Sequence, residues 1–278
     1  MDGSMPAILA QVDGWGATHA AAAVVGADGI RAGHGDVARS VRWASVTKPV
    51  TALVVLIAVE RGLIDLEEPA GPPGPPPSTV RHLLAHASGL PFEGEQILAL
   101  PGHRRIYSNP GFDALGALIA ERTGRPFEAI VAAWVTEPLG MTHTRLVGRP
   151  SEGLHGTLLD LAAFARECLR QTLVSPAMFH AAVAVAFPGL AGVVPGVGRY
   201  DACDWGLGFE LHGHKAPHWM GERNSPETFG HFGGAGSFLW VDPAVDTALV
   251  VLTDREYGPW ALDAWPALSD EVLRALGS

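Results

Sequence analysis

The chain of 278 residues has only two cysteines, Cys168 and Cys203, too few for a disulfide framework. Its most apolar stretch, residues 50–59, is too short to span a bilayer. Basic residues are scarce as well. With 19 Lys and Arg against 29 Asp and Glu the formal charge is −10, a field that repels phosphate backbones and anionic membrane surfaces. Nucleic-acid and membrane partners are therefore not expected. The opening residues carry no basic segment followed by a long apolar one, and a cytoplasmic location is the expectation. The G-x-S-x-G pattern of a nucleophile elbow is absent, and no internal repeat is found. Residues 33–38 match G-x-G-x-x-A, but no apolar-periodic helix follows, so a turn is expected there rather than a dinucleotide site. What the chain has in quantity is hydrophobic residues, 47%, ample for a sizeable core.

Their spacing organises the chain. Residues 17–25 form a β-capable run closed by the turn-like 26–29, with a second strand expected over 30–35. Residues 45–61 carry apolar side chains at helical spacing and on the remaining faces too, which describes a buried central helix. The proline-rich 69–77 reads as a stiff surface connection. Helices are predicted over 80–87, 110–122, 126–136 and 158–170, the last with Thr157 as N-cap and Asp160 as its N3 partner. Strand character returns at 206–211, 236–241 and 247–253, with a hairpin turn at 242–246, and 260–276 closes the chain as an amphipathic helix. This order predicts a discontinuous α/β domain, 1–67 with 201–278, and a mostly α-helical insert, 68–200, with the site at their junction.

Three segments carry candidate chemistry. Ser45 and Lys48 stand at i and i+3 at the mouth of the central helix, one face of which could join a hydroxyl to an ammonium; the bland alternative is an N-cap serine beside a solvated lysine. Tyr107-Ser108-Asn109-Pro110 precedes a helix, where Asn109 could serve as N-cap and Pro110 as N1. His231-Phe232-Gly233-Gly234 lies before a strand-like segment, as a loop or bulge whose glycines could bring backbone close to a substrate. Histidines at 82 and 86, and at 212, 214 and 218, invite a metal reading, but 82–86 lacks the glutamate of a zinc-protease motif.

Together and in this order these segments resemble the serine β-lactamase and penicillin-binding-protein superfamily, in particular its class C β-lactamase-like branch with family VIII-type esterases. Arg42-Trp43-Ala44-Ser45-Val46-Thr47-Lys48, the stretches 80–90 and 107–112, Pro138-Leu139-Gly140-Met141-Thr142-His143-Thr144 and the region 230–254 all look like family signatures. The resemblance implies an α/β (α+β) fold of β-lactamase/transpeptidase type, an antiparallel sheet flanked by helices with an inserted helical domain. It implies Ser45 as the acylated nucleophile, Lys48 as the group that readies it, and Tyr107 as general base, with a neighbouring ammonium drawing the phenol toward phenolate. Asn109 would orient Lys48 and substrate, and the N–H groups of Ser45 and Gly234, beside Gly233, would hold the oxyanion.

The third motif departs from the Lys-Thr-Gly of β-lactamases. His231 and Phe232 hold the places of a cation and a hydroxyl, so anchoring of an anionic β-lactam is not expected, and a histidine here resembles the esterase members. The expected function is a serine hydrolase acting through an acyl-enzyme on small esters, without cofactor or metal. The alternatives are a true β-lactamase, a D-amino-acid peptidase or amidase, or an inert ligand-binding member of the fold. Pocket walls are expected from the loops 92–102 and 211–229, with Trp205, Trp219 and Phe232 as apolar candidates.

Overall fold

Strand β1 (Ala20–Gly26) turns through Ala27 and Asp28 into β2 (Gly29–Gly35), the expected opening hairpin. These residues belong to a computed structural model that describes residues 4–71 and 77–277; most of the proline-rich 69–77 and the first three residues lie outside the described residues. With β3 (Glu210–Leu211), β4 (Phe229–Gly233), β5 (Ser237–Asp242) and β6 (Thr247–Thr253), the hairpin builds a sheet ordered β2-β1-β6-β5-β4-β3. Every neighbouring pair in it is antiparallel, with Ala23 opposite Val250 and Phe238 opposite Val251.

Both faces of this sheet are buried. Ala21, Ala23, Val25, Leu239, Val241, Val250 and Leu252 join one core, while Ala22, Val24, Phe238, Trp240, Leu249 and Val251 join another on the opposite side. That is why 17–25 and 247–253 show continuous apolar runs rather than alternation.

Among the described residues four helices have thirteen or more residues: α1 (Thr47–Glu60), α2 (Asn109–Thr123), which packs on α1, α3 (Leu158–Arg170) and α4 (Pro259–Leu276). Helix α1 is buried continuously from Thr47 to Ala58, as its all-round apolar pattern predicts. Helix α3 packs on the first core's side of the sheet and α4, through Trp265 and Leu268, on the other. The expected antiparallel sheet flanked by helices is present. We propose the division 1–67 with 201–278 and 68–200 as the chain's organisation, with α3 returning from the second span onto the sheet of the first.

Local differences have local causes. The hydroxyl of Thr157 accepts the Asp160 N–H, but the Asp160 carboxylate accepts from His143 N and Thr144 Oγ1 instead of returning to the cap, so the reciprocal half of the expected capping pair is spent on a neighbouring loop. The strand expected at 206–211 shortens to β3 because Gly208 adopts a φ of 92° and its N–H bonds to Leu84 O, with Ala52 of α1 where a side chain would stand. Residues 126–136 divide into a helix, Phe127–Val131, and a π-helical turn, Ala132–Thr136. The third motif is itself part of strand β4, not a loop ahead of a strand.

Candidate active site

Ser45 lies in the 3₁₀ turn Ala44–Val46 that leads into α1. The helix N-cap is Val46, which makes no side-chain cap, so the hydroxyl of Ser45 is not engaged in capping. Ala44 is held at φ 46°, a left-handed conformation that disfavours a side chain and costs about 1 kcal/mol or more. The flanking main chain holds it there: Trp43 N donates to Leu154 O at 2.8 Å and Trp43 O accepts from Ser237 Oγ at 2.7 Å. Gly233 of β4 belongs to the same contact, since a Cβ there would stand 2.3 Å from Trp43 O. The absence of a side chain at 233 lets β4 meet the main chain that leads to Ser45. Gly234, with nothing within 4 Å of a notional Cβ, faces open space on the cavity wall.

Lys48 is fully buried, with Nζ 3.1 Å from Ser45 Oγ, 2.6 Å from Asn109 Oδ1 and 3.0 Å from Ser151 O. None of these partners is a carboxylate. Burial lowers its pKa to about 7, against the upward pull of Glu152 and Asp113. A neutral amine has two N–H donors and one lone pair, which matches two obligate acceptors and one hydroxyl able to donate. The charged form is equally satisfied, by three donors. The geometry thus serves Lys48 on both sides of a proton transfer to or from Ser45.

Asn109 is the first residue of α2 and Ser108 is its cap, accepting from Gly111 N at 3.1 Å; the expected N-cap role of Asn109 passes to its neighbour and frees its amide. Nδ2 donates to Glu93 Oε1 at 2.7 Å, which fixes Oδ1 toward Lys48. Glu93 in turn is held by both terminal nitrogens of Arg149, at 2.9 and 3.0 Å. The same guanidinium binds Asp113 at 2.6 and 2.9 Å, and Asp113 accepts the Ser151 N–H at 3.1 Å. Both acceptors that hold Lys48 are therefore braced from behind by one arginine. Sequence reasoning missed Glu93, Asp113, Arg149 and Ser151, which come from three separate segments of the chain and match no motif.

Tyr107 is buried beside Ser45, to which it hydrogen-bonds, with its ring stacked on His86 at 4.4 Å. Burial pushes the phenol above its ordinary pKa, further than the Ser45 hydrogen bond brings it down. This overturns the expected drift toward phenolate. Lys48 Nζ sits 4.6 Å from the ring centroid, over the aromatic face, where it makes a cation–π contact. His86 accepts the Ser108 N–H on Nδ1, so it orients the Tyr107 segment, a role unconnected with the metal reading. His82 pairs with Thr79 at its own helix start, and His218 with Glu210.

His231 is buried on β4, with Nδ1 2.7 Å from Phe232 O. That carbonyl can only accept, so Nδ1 carries the proton and Nε2 presents a lone pair. Burial first, then Lys48, pushes the ring's pKa down to about 3, and Nε2 has no partner among the described residues.

These groups converge on a cavity of about 430 Å³ lined by Ser45, Tyr107, Asn109, Trp205, His231 and Phe232. Its outer walls come from residues 92–93, 194–196 and 256–257, so the loop 92–102 contributes as expected while 194–196 and 256–257 went unread. The loop 211–229 does not reach the wall. It folds behind Glu210, whose carboxylate receives Lys215 Nζ at 2.9 Å, His218 Nε2 at 2.8 Å and Trp219 Nε1 at 2.7 Å, all buried. Burial alone would raise the Glu210 pKa, but Lys215 and His218 hold the carboxyl well below the usual range. Trp219 consequently packs in the second core.

A buried lysine poised on a serine at the mouth of a helix, with tyrosine and asparagine alongside, is the arrangement that known relatives can be compared against. A β-lactamase from Mycobacterium bovis (Mb2281c) superposes with a TM-score of 0.94 at 52% identity, covering 97% of this chain and 99% of that one. Esterase EstB of Burkholderia gladioli is 32% identical over 154 residues, 40% of this chain and 39% of the relative. D-alanyl-D-alanine-carboxypeptidase/endopeptidase AmpH of Escherichia coli is 27% identical over 146 residues, 40% of this chain and 38% of the relative. The matched segments thus span well under half of those two proteins. Among the described residues no helix is long and apolar enough to cross a membrane. The profile of the β-lactamase family matches residues 14–273, and the chain belongs to that family, as a serine hydrolase.

Proposed function

We propose that this hydrolase is a carboxylesterase that works through an acyl-Ser45 intermediate. The observation that carries the choice of ester is His231. At the place where β-lactamases present a cation it offers a buried neutral ring whose Nε2 has no partner among the described residues, which gives a carboxylate nothing to pair with. Arg42, the one arginine on the cavity wall, is already bridged to Glu152 at 2.7 Å.

In the first half-reaction neutral Lys48 accepts the Ser45 proton as Oγ attacks the ester carbonyl, and the N–H groups of Ser45 and Gly234 stabilise the developing oxyanion. Tyr107, kept protonated by burial, hands a proton to the leaving alkoxide and recovers one from Lys48, which holds the proton taken from Ser45. Water then attacks the acyl-enzyme with the proton moving back along the same groups. A second reading, β-lactam hydrolysis, is favoured by the name of the 52% identical Mycobacterium bovis protein.

The test is turnover of p-nitrophenyl butyrate and of nitrocefin by the wild type and by Ser45→Ala, with folding checked by circular dichroism. Ester turnover well above nitrocefin turnover, falling at least about 1,000-fold in the variant, is the expected result. Nitrocefin turnover approaching the ester rate would transfer the assignment to the second reading, and equal, slow rates in both proteins would remove the esterase.

A further inference from the structure

Beside the catalytic cavity lies a second one, of about 450 Å³, that shares Phe92, Tyr107 and Pro195 with it. Its floor follows from register in a short three-stranded sheet. Arg105–Ile106 pairs parallel with Gly192–Val194, which pairs antiparallel with Gly198–Tyr200, so Ile106, Val193 and Arg199 align in one row. Side chains alternate across a sheet, and the neighbouring row, Arg105, Gly192 and Tyr200, is the inward one: Arg105 and Tyr200 are buried. The outward row meets Phe92 and Leu98, which are half exposed like Val193. Arg104 and Arg199 border the same groove, and neither forms an ion pair among the described residues.

We propose that this groove is the binding site for the far part of the substrate, an unbranched apolar chain that ends in an anionic group such as a carboxylate. The chain lies along Phe92, Leu98 and Val193, and the anion meets Arg104 and Arg199. The inference rests on the esterase reading for what happens at the other end of the substrate. Two features select this occupant. An apolar floor adjoining the catalytic cavity accepts methylenes and offers few partners to a polar chain. In a protein of formal charge −10, two unpaired guanidinium groups at its border set a local positive field against the overall one. His231 stands on β4 where a cation would meet an anion beside the scissile bond, and its Nδ1 is occupied by Phe232 O, whereas the groove supplies two guanidinium groups at its border.

Octanoate, butyrate and octyltrimethylammonium, titrated into the whole protein by calorimetry, test the proposal. Octanoate is expected to bind about tenfold more tightly than octyltrimethylammonium, against the direction that net charge dictates. It is also expected to bind about tenfold more tightly than butyrate. Arg104→Ala/Arg199→Ala removes the first preference, and Leu98→Ser/Val193→Ser, at exposed positions that tolerate polar residues, removes the second. Equal binding of the two octyl probes, binding of neither, or preferences that survive both double variants overturns the proposal. Turnover of p-nitrophenyl butyrate by the same preparation reports the esterase reading separately: turnover without an octanoate preference removes the groove and leaves the enzyme, while the reverse supports the groove and removes the esterase.

Discussion

The two buried lysines, Lys48 and Lys215, are held by different kinds of oxygen. Lys215 meets the carboxylate of Glu210 at 2.9 Å, with His218 and Trp219 filling that carboxylate's remaining positions. Lys48 meets a hydroxyl, an amide oxygen and a backbone carbonyl, and no carboxylate. The first centre is a closed electrostatic unit whose carboxyl is held ionised far below its ordinary range. The second leaves burial largely uncompensated and brings an ammonium down to about 7, where it can give or take a proton. The same residue type at similar depth becomes a strut or, in the function we propose, a base according to whether its nearest oxygen carries a charge.

Removing the poised amine should break the comparison most severely: Lys48→Met is expected to lower kcat about 1,000- to 10,000-fold, read as ester turnover in steady-state kinetics. Glu210→Gln strikes the other centre by leaving Lys215 buried without its counter-charge. Removing one partner of such a pair costs about 3–5 kcal/mol of stability, visible as a lowered midpoint in urea. In the wild type that contribution is present above the unfolded carboxylate pKa of about 4.3 and is lost as pH falls toward the depressed folded value.

Asn109→Asp would convert the second centre into a copy of the first. For the wild type, kcat/KM should rise with pH through about 7 as Lys48 loses its proton. A carboxylate at 109 favours the charged amine, so the rising limb moves to higher pH. A shift of about two units would leave about 50-fold less free amine, and correspondingly less activity, at pH 7. A pH profile that stays in place would show that Lys48 is not the titrating base. Arg149→Lys is the mildest test. One ammonium cannot hold Glu93 and Asp113 in the forked geometry of a guanidinium, and kcat is expected to fall about tenfold with KM nearly unchanged. A purely structural arginine would lower the melting temperature and leave that kcat/KM split absent.

What was legible in the sequence depended on locality. The Ser45 and Lys48 spacing is read directly because three residues make most of a helical turn, and helix α4 is read because its apolar stripe repeats over eighteen residues. The sheet's strands were visible as runs because burial on both faces removes alternation without removing hydrophobicity. The brace behind Lys48 was invisible: Glu93, Asp113 and Arg149 come from three separate segments and meet only through tertiary packing. Tyr107 was misread for a related reason. Proximity to an ammonium could be inferred from motif order, but not that the ammonium lies over the ring face while burial governs the phenol. His231 was expected to be neutral from its reference value, yet only the Phe232 carbonyl settles which ring nitrogen carries the proton.

The close approach of Gly233 to the carbonyl of Trp43 ties strand β4 to the turn bearing Ser45. Because that spacing is main chain against main chain, it is independent of the side chains that form the outer walls. Those walls, residues 92–93, 194–196 and 256–257, arrive on separate loops. Diversifying them in a library should therefore change which molecules enter while the distances around Ser45 persist, whereas any side chain introduced at 233 would push Ser45 out of register whatever the substrate.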